Sequence, residues 1–137
     1  MLEIDPSTPD LQGKRVLLVE DNILNQEIVV GILEDTKVSI EIANNGQEAI
    51  DMFVSKTKES KNYYDLILMD IQMPVLDGYE ATREIRKLDK EIPIIALSAN
   101  SLISDIEKTK EAGMNEHLNK PLEVGRLFEV LAMYIRH

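Results

Sequence analysis

Five short apolar segments alternate with five segments of helical periodicity along this chain. The predicted strands are continuous apolar runs, or apolar and polar residues in alternation, as in strands buried within a parallel sheet or near its edge. The predicted helices carry apolar residues at spacings of three and four. Strands are predicted at about 15–19, 38–42, 66–69, 92–97 and 117–119, and helices at about 24–34, 45–56, 77–88, 102–112 and 124–135.

This order of elements predicts an α/β fold. A strand followed by a helix, five times over, is typical of a doubly wound parallel sheet, because parallel strands need right-handed crossovers that place helices on both faces. We therefore expect one (βα)5 domain over 14–137, preceded by a linker or tail over 1–13, where Pro6 and Pro9 stand among residues without periodicity. The predicted buried stripe of the first helix is Leu24, Ile28, Val29, Ile32 and Leu33.

Four of the five predicted strands end on polar residues. Glu20 and Asp21 follow the first strand, whereas Asp70, Ser98 and Lys120 follow the third, fourth and fifth. The carboxyl ends of parallel strands meet at one edge of the sheet, and ligands of open α/β folds bind there. Each residue alone also fits a structural role as a strand end, a solvated turn, a helix cap or a surface charge. Their recurrence at successive strand ends favours a shared site.

The acidic members of this group predict a cation site. Two carboxylates about 4 Å apart repel each other by about 4 kcal/mol at an effective dielectric of about 20, and a divalent cation would remove that cost. Oxygen ligands favour Mg²⁺ or Mn²⁺ over Zn²⁺, and such an ion commonly also holds a phosphate oxygen. Ser98 and Lys120 are suitable donors for the other phosphoryl oxygens. Asp70 is the expected nucleophile, because the chain has no cysteine and both His117 and His137 lie outside the acidic cluster.

Composition narrows the range of partners. The chain has 137 residues, enough for one domain, and a formal net charge of −10, which argues against binding to nucleic acid or to an anionic membrane. It has no cysteine for disulfides or thiolate metal sites. The acidic N-terminus does not look like a signal peptide, and no apolar run approaches the roughly 20 residues that span a bilayer. We expect a cytoplasmic domain without membrane contact.

The motifs around these residues resemble the receiver domains of response regulators in two-component signalling, from Arg15 to about Arg136. They are VLLVEDN at 16–22, LMDIQMP at 68–74, Asp77-Gly78, ALSA at 96–99, and AGMN at 112–115 before Lys120-Pro121. Their wording is most similar to the receivers of hybrid sensor histidine kinases. The resemblance implies a flavodoxin-like sheet with strand order 2-1-3-4-5.

The resemblance also implies a role for each residue of the acidic cluster. Asp70 would be the phosphoacceptor, and Asp21, Asp70 and the backbone carbonyl of Gln72 would bind Mg²⁺. Glu20, which stands where the family more commonly has Asp, would act through a bound water. Gln72 and Asn100 would flank the hydrolytic water and tune dephosphorylation.

The remaining implied roles concern the phosphoryl oxygens and the response to them. Ser98 would donate a hydrogen bond to the phosphoryl group, and Lys120 would form an ion pair with it. The family further implies a cis peptide bond between Lys120 and Pro121. His117 stands where the family usually has Tyr or Phe, the ring that turns inward when Ser98 moves, so it is either the switch residue or a half-exposed strand residue.

By resemblance, the partners would be a histidine kinase domain and a histidine phosphotransfer domain, with the chain a monomer or weak dimer. Output would pass through the surface of the fourth and fifth strand–helix units. A free-standing response regulator is the nearest alternative. Aspartyl-phosphate phosphohydrolases carry a second acid two residues after the nucleophile, where this chain has Gln72. A pseudo-receiver that binds partners without phosphorylation is a further alternative, and nucleotide binding is disfavoured because no Gly-rich loop follows a strand.

Overall fold

The computed structural model describes residues 8–73, 76–99 and 103–135 of the chain. Within these ranges, strands and helices alternate as the sequence predicts, and no helix is long and apolar enough to cross a bilayer. The strands are β1 (Arg15–Val19), β2 (Ser39–Ala43), β3 (Leu66–Asp70), β4 (Ile94–Ser98) and β5 (Glu116–Asn119). The helices are α1 (Ile23–Leu33), α2 (Gly46–Glu59), α3 (Gly78–Leu88), α4 (Ile103–Ala112) and α5 (Val124–Tyr134), and a 3-10 turn over Glu34–Thr36 follows α1.

The strands form one parallel sheet in the order β2-β1-β3-β4-β5. The predicted fold class and strand order are therefore confirmed. All five residues of β3 and of β4 are buried, because helices cover both faces of the sheet. In contrast, the first residue of β2 is exposed, as expected at an edge.

Alternate residues of each strand belong to two separate cores, one on each face of the sheet. Val16 and Leu18 of β1 pack on the face that α1 and α5 cover, together with Val29 and Leu131. The intervening strand residues Leu17, Val19, Ile67 and Met69 pack on the opposite face with Ala49, Phe53, Ala81 and Ile85 from α2 and α3. This alternation places the polar strand ends between the two cores, at the carboxyl edge of the sheet.

The buried face of α1 differs from the predicted one. Val29 and Leu33 are buried as expected, but Leu24 is 65% exposed and Ile28 is 46% exposed. The prediction was wrong for these two residues because apolar residues surround most of α1, so their spacing alone does not select a face. The buried face instead includes the polar residue Gln26.

The packed domain extends further towards the N-terminus than residue 14. Leu11 is fully buried in the core beside α1 and α5, and its backbone N–H donates to the carbonyl oxygen of Thr36 at 2.7 Å. Residues 1–7 of the predicted linker lie outside the described residues. The described part of this segment is therefore attached to the domain at Leu11.

A buried hydroxyl on α3 provides a stability prediction. Thr82 is fully buried, and its Oγ1 has no hydrogen-bond partner among the residues that the structure describes. Because an unpaired buried hydroxyl costs about 1–3 kcal/mol, we expect Thr82→Val to raise the free energy of unfolding in urea by about 1 kcal/mol. The matched control is Thr109→Val, because the buried Thr109 hydroxyl donates to the Ile106 carbonyl at 2.6 Å, and this variant should be less stable than the wild type. Equal losses in both variants would contradict the prediction.

Candidate functional site

The carboxyl edge of the sheet brings together most of the polar residues that the strand ends predict. Asp70 is the last residue of β3, and Glu20 follows β1, where its N–H donates to the carbonyl of Ala43 at 3.0 Å. Glu20 is 1% exposed and Asp70 is 3% exposed, so both carboxylates are held away from bulk water. Ser98, also buried, ends the neighbouring strand β4, one position beyond the residue that pairs with Asp70.

Three carboxylates form a compact cluster at this edge. Each of Glu20, Asp21 and Asp70 offers an oxygen atom, and these three atoms lie within 4.8 Å of one another. It is the one group of three potential acidic, His or Cys ligands in the part of the chain that the structure describes. Asp21 is exposed while the other two acids are buried, so the cluster opens to solvent on one side. A set of hard oxygen ligands with an open side fits Mg²⁺, which retains several waters when bound.

Lys120 lies against two of these acids. Its Nζ is 2.8 Å from Glu20 Oε2 and 3.4 Å from Asp70 Oδ1. Burial acts to lower the pKa of Lys120, but its hydrogen bond to Glu20 and the charges of Asp70 and Glu20 outweigh that effect and raise the pKa. The sequence predicts a contact of Lys120 with the phosphoryl group alone. In this structure its ammonium group offsets the repulsion between the two buried carboxylates.

The Glu20 side chain is fixed by donors from the start of α1. Its Oε1 accepts from the backbone N–H of Asn22 and from Nδ2 of Asn25, both at 3.3 Å, while Oε2 accepts from Lys120. Asn22 also caps α1, because its side-chain oxygen accepts from the Asn25 N–H at 3.1 Å. The residues that begin α1 therefore also fix the Glu20 carboxylate by hydrogen bonds. Asn25 was not predicted as a site residue.

The carboxyl group of Asp70 is easier to protonate than an ordinary Asp. Burial is the main cause, followed by the charge of Glu20, and together they raise the pKa to about 6. Lys120 and the backbone N–H of Gln72, which donates to Asp70 Oδ1 at 3.2 Å, act in the opposite direction. Burial and the negative charge of Glu20 therefore destabilise the ionised form of Asp70, and a cation beside it would stabilise that form.

This raised pKa predicts that Asp70 lowers stability at neutral pH in the absence of a divalent cation. Because the folded-state pKa exceeds the unfolded value, the destabilisation is absent near pH 4 and develops as the pH rises through about 6. We expect Asp70→Asn to be more stable than the wild type at pH 7.5 by about 2 kcal/mol, with the difference disappearing near pH 4. Urea unfolding in EDTA at both pH values measures this difference. A less stable variant at pH 7.5 would contradict it.

The start of α3 is packed closely against Asp70. Gly78, the first residue of α3, donates its N–H to the Ile71 carbonyl at 3.0 Å, and a Cβ atom there would collide with the Asp70 carbonyl oxygen. Asp77 caps the same helix by accepting from the Glu80 N–H at 2.9 Å. The sequence predicts the cap and the chain break at Asp77-Gly78, but the contact with Asp70 becomes visible only in the structure.

The structure describes some of the remaining predicted site features but not Asn100. The peptide bond between Lys120 and Pro121 is cis, as the family resemblance implies. His117 lies on β5 beside Ala96, and its buried Nε2 has no hydrogen-bond partner within the described ranges of the chain. Asn100 lies outside the described residues.

The chain matches the response regulator receiver domain family over residues 16–132. It belongs to that family. Among curated relatives, it is 40% identical to probable histidine kinase 2 of Oryza sativa, with 88% of this chain and 13% of the relative covered. It is 39% identical to hybrid signal transduction histidine kinase I of Dictyostelium discoideum, with 93% and 8% covered. The chain thus spans a small part of the length of these kinases.

Solved receiver domains have the same fold, and one of them was solved with a magnesium ion. The receiver domain of a sensor histidine kinase from Pseudomonas aeruginosa, solved with a magnesium ion in its active-site cleft, is 41% identical with a TM-score of 0.77, covering 90% of this chain and 98% of that one. The receiver domain of the Saccharomyces cerevisiae response regulator Ssk1, solved with a histidine phosphotransfer protein, is 34% identical with a TM-score of 0.80, covering 91% and 90%.

Proposed function

We propose that this chain accepts a phosphoryl group on Asp70 in a Mg²⁺-dependent reaction and relays it between a histidine kinase domain and a histidine phosphotransfer domain. The observation that carries this proposal is the buried Asp70 carboxylate beside Glu20, Asp21 and Lys120 at one edge of the sheet. The kinase relatives support an origin in a hybrid kinase over a free-standing response regulator.

In the proposed reaction, an Asp70 oxygen attacks the phosphorus atom of a phosphohistidine. A bond forms between that oxygen and phosphorus, and the bond between phosphorus and the imidazole nitrogen breaks, leaving its electron pair on the nitrogen. The Lys120 ammonium and the Ser98 hydroxyl are positioned at the same edge to stabilise the phosphoryl oxygens. Mg²⁺, held by Glu20, Asp21, Asp70 and the Gln72 carbonyl, would offset the negative charge of the acids and the phosphoryl group.

Two further roles belong to this proposal. Ser98 ends β4, and His117 lies on the neighbouring strand β5 beside Ala96, two residues before Ser98. These two residues form the proposed switch, on which a phosphoryl group at Asp70 would act. Gln72, whose N–H already contacts the Asp70 carboxylate, and Asn100 are the proposed positions that tune dephosphorylation.

The reaction is tested with acetyl phosphate as the phosphodonor and intact mass as the readout. We expect a gain of one phosphoryl group per chain in the presence of Mg²⁺ and none in EDTA. Labelling that survives mild alkali or neutral hydroxylamine would contradict the proposal, because an aspartyl phosphate is an acyl phosphate whose carbonyl carbon both reagents attack. So would the absence of labelling where the Pseudomonas aeruginosa receiver domain is labelled under the same conditions.

The exposed apolar face of α1 supports the phosphotransfer domain as the partner. Ile23, Leu24 and Ile28 are 69%, 65% and 46% exposed. The helix begins two residues after Asp21, so this face lies next to the acidic cluster. Exposed apolar residues that adjoin a polar reaction site mark an interaction surface. A phosphohistidine on a phosphotransfer domain can reach Asp70 only if that domain covers this edge of the sheet.

The docking role of α1 is tested with the double variant Leu24→Ser/Ile28→Ser. Both residues are exposed, so we expect the fold to be unchanged. The loss of about 3 kcal/mol of apolar contact would weaken docking and so slow transfer from a phosphotransfer domain by about 100-fold. The donor is the phosphorylated yeast phosphotransfer protein, followed by stopped-flow transfer at limiting concentration. Labelling by acetyl phosphate should stay at the wild-type rate.

The control for docking is Leu88→Ser, at the far end of α3. Leu88 is 59% exposed, similar to Leu24, but it lies away from the carboxyl edge of the sheet. We expect this variant to receive the phosphoryl group at the wild-type rate. Wild-type transfer by the α1 double variant would exclude α1 as the docking face while leaving the acetyl phosphate result intact.

A further inference from the structure

Gln26 of α1 is a buried polar residue to which the proposed reaction gives no role. Its side chain lies on the face of the helix that packs against the sheet, and the residue is 8% exposed. Its Nε2 donates to the backbone carbonyl oxygen of Glu20 at 2.7 Å and to Asn44 Oδ1 at 2.9 Å. Both amide hydrogens therefore have acceptors, and the two acceptors belong to different loops.

These two acceptors stand where the β1–β2 ladder ends. The last backbone hydrogen bond between these strands runs from the Glu20 N–H to the Ala43 carbonyl at 3.0 Å. Beyond it, the Gln26 amide is the connection between the loop that carries Glu20 and the loop that begins at Asn44. The Asn44 side chain is itself held, because its Nδ2 donates to Glu48 Oε1 at 3.1 Å.

The carbonyl that accepts from Gln26 belongs to the peptide between Glu20 and Asp21, which are adjacent members of the acidic cluster. The orientation of this peptide sets the direction of the Asp21 backbone. It therefore also affects where the exposed Asp21 carboxylate lies relative to the buried carboxylates of Glu20 and Asp70. Asp21 itself receives no side-chain hydrogen bond in the described structure to hold it in place. The hydrogen bond from Gln26 to the Glu20 carbonyl therefore restrains the backbone that carries the Asp21 ligand atom.

We propose that Gln26 is a positioning residue for the metal site, which holds the Glu20–Asp21 peptide so that the three carboxylates meet one divalent cation. This inference rests on the proposed function, because it requires that the acidic cluster binds Mg²⁺. Gln26 touches neither the cation nor the phosphoryl group. Residues that orient metal ligands typically contribute 10–100-fold to metal affinity.

The test measures Mg²⁺ affinity directly by isothermal titration calorimetry, using Gln26→Leu and Gln26→Met. Both side chains have about the size of Gln but donate no hydrogen bond. We expect the dissociation constant for Mg²⁺ to rise about tenfold. At saturating Mg²⁺ the rate of labelling by acetyl phosphate should stay within about twofold of the wild-type rate, because the bound cation restores the same arrangement of acids.

Thr36→Val is the matched control for lost stability. Thr36 is fully buried just beyond α1, and its hydroxyl donates to the Leu33 carbonyl at 2.6 Å, so this change also removes a buried hydrogen bond. It lies at the end of α1 remote from the acids, and we expect it to lower the melting temperature without changing the Mg²⁺ dissociation constant. Asn44→Ala provides a second variant that leaves Gln26 in place and should raise the dissociation constant by a smaller factor.

The outcomes separate this inference from the proposed function. If the wild type shows no Mg²⁺ binding, the proposed function fails. If the wild type binds Mg²⁺ and the folded Gln26 variants bind it equally well, the positioning role is overturned and the proposed function stands. An equal rise in the dissociation constant for Thr36→Val would also overturn the positioning role, because general destabilisation would then explain both results.

Discussion

Asp70→Asn is expected to abolish labelling of the chain by acetyl phosphate in the presence of Mg²⁺. The amide oxygen is a far weaker nucleophile than a carboxylate, and the substitution also removes one of the three acids of the cluster. Asn has nearly the size of Asp, and the raised pKa of Asp70 predicts that the variant folds at least as stably as the wild type. Loss of labelling would therefore report lost chemistry rather than lost structure. Intact mass over a time course at saturating donor measures it.

The matched control for this prediction is Asp77→Asn. Asp77 belongs to the same loop region but is exposed, and its side chain caps α3. Asn is an equally good helix cap, so this variant should retain both its fold and its labelling. Wild-type labelling of Asp70→Asn would show that another carboxylate accepts the phosphoryl group.

The fold was predictable because the strands of this sheet are short, and most of them are apolar runs that end at a polar residue. In β3, the run Leu66–Met69 is fully buried, and the helices that follow the strands begin at side-chain caps such as Asn45 and Asp77. Helix ends were less certain. For example, α2 continues to Glu59, three residues past its predicted end, because polar residues on an exposed helix face look like a loop in the sequence.

Only those site residues that stand at the ends of strands could be predicted to lie close together. The meeting of Glu20, Asp21 and Asp70 follows from parallel strands, and the structure brings them within 4.8 Å. The contact between Lys120 and Glu20 joins residues 100 positions apart, and no local pattern shows which partner an ammonium group will select. The buried position of Gln26 was missed because a search for helical periodicity considers apolar residues, whereas here one backbone oxygen and one side-chain oxygen accept hydrogen bonds from a buried amide.

Lys120→Met is expected to slow labelling by acetyl phosphate by about 100-fold at saturating Mg²⁺. The ammonium group is held at the site by Glu20 and Asp70, so it is already placed where negative charge develops during transfer. Removing one such preorganised donor typically costs about 100–1,000-fold in rate. Met has a similar length and leaves the apolar part of the side chain in place. The initial rate by intact mass, at Mg²⁺ concentrations well above the dissociation constant, measures the effect.

The affinity for Mg²⁺ should rise in Lys120→Met, although the labelling rate falls. Lys120 offsets the repulsion between Glu20 and Asp70 in the described structure, so it competes with a cation for the same two acids. Without it, we expect the calorimetric Mg²⁺ dissociation constant to fall while the labelling rate also falls. Lys87→Met, which removes an exposed ammonium that pairs with Glu84 on α3, should change neither quantity. Weaker Mg²⁺ binding by Lys120→Met would contradict this assignment, because the lysine would then support the metal site instead of competing with the cation for it.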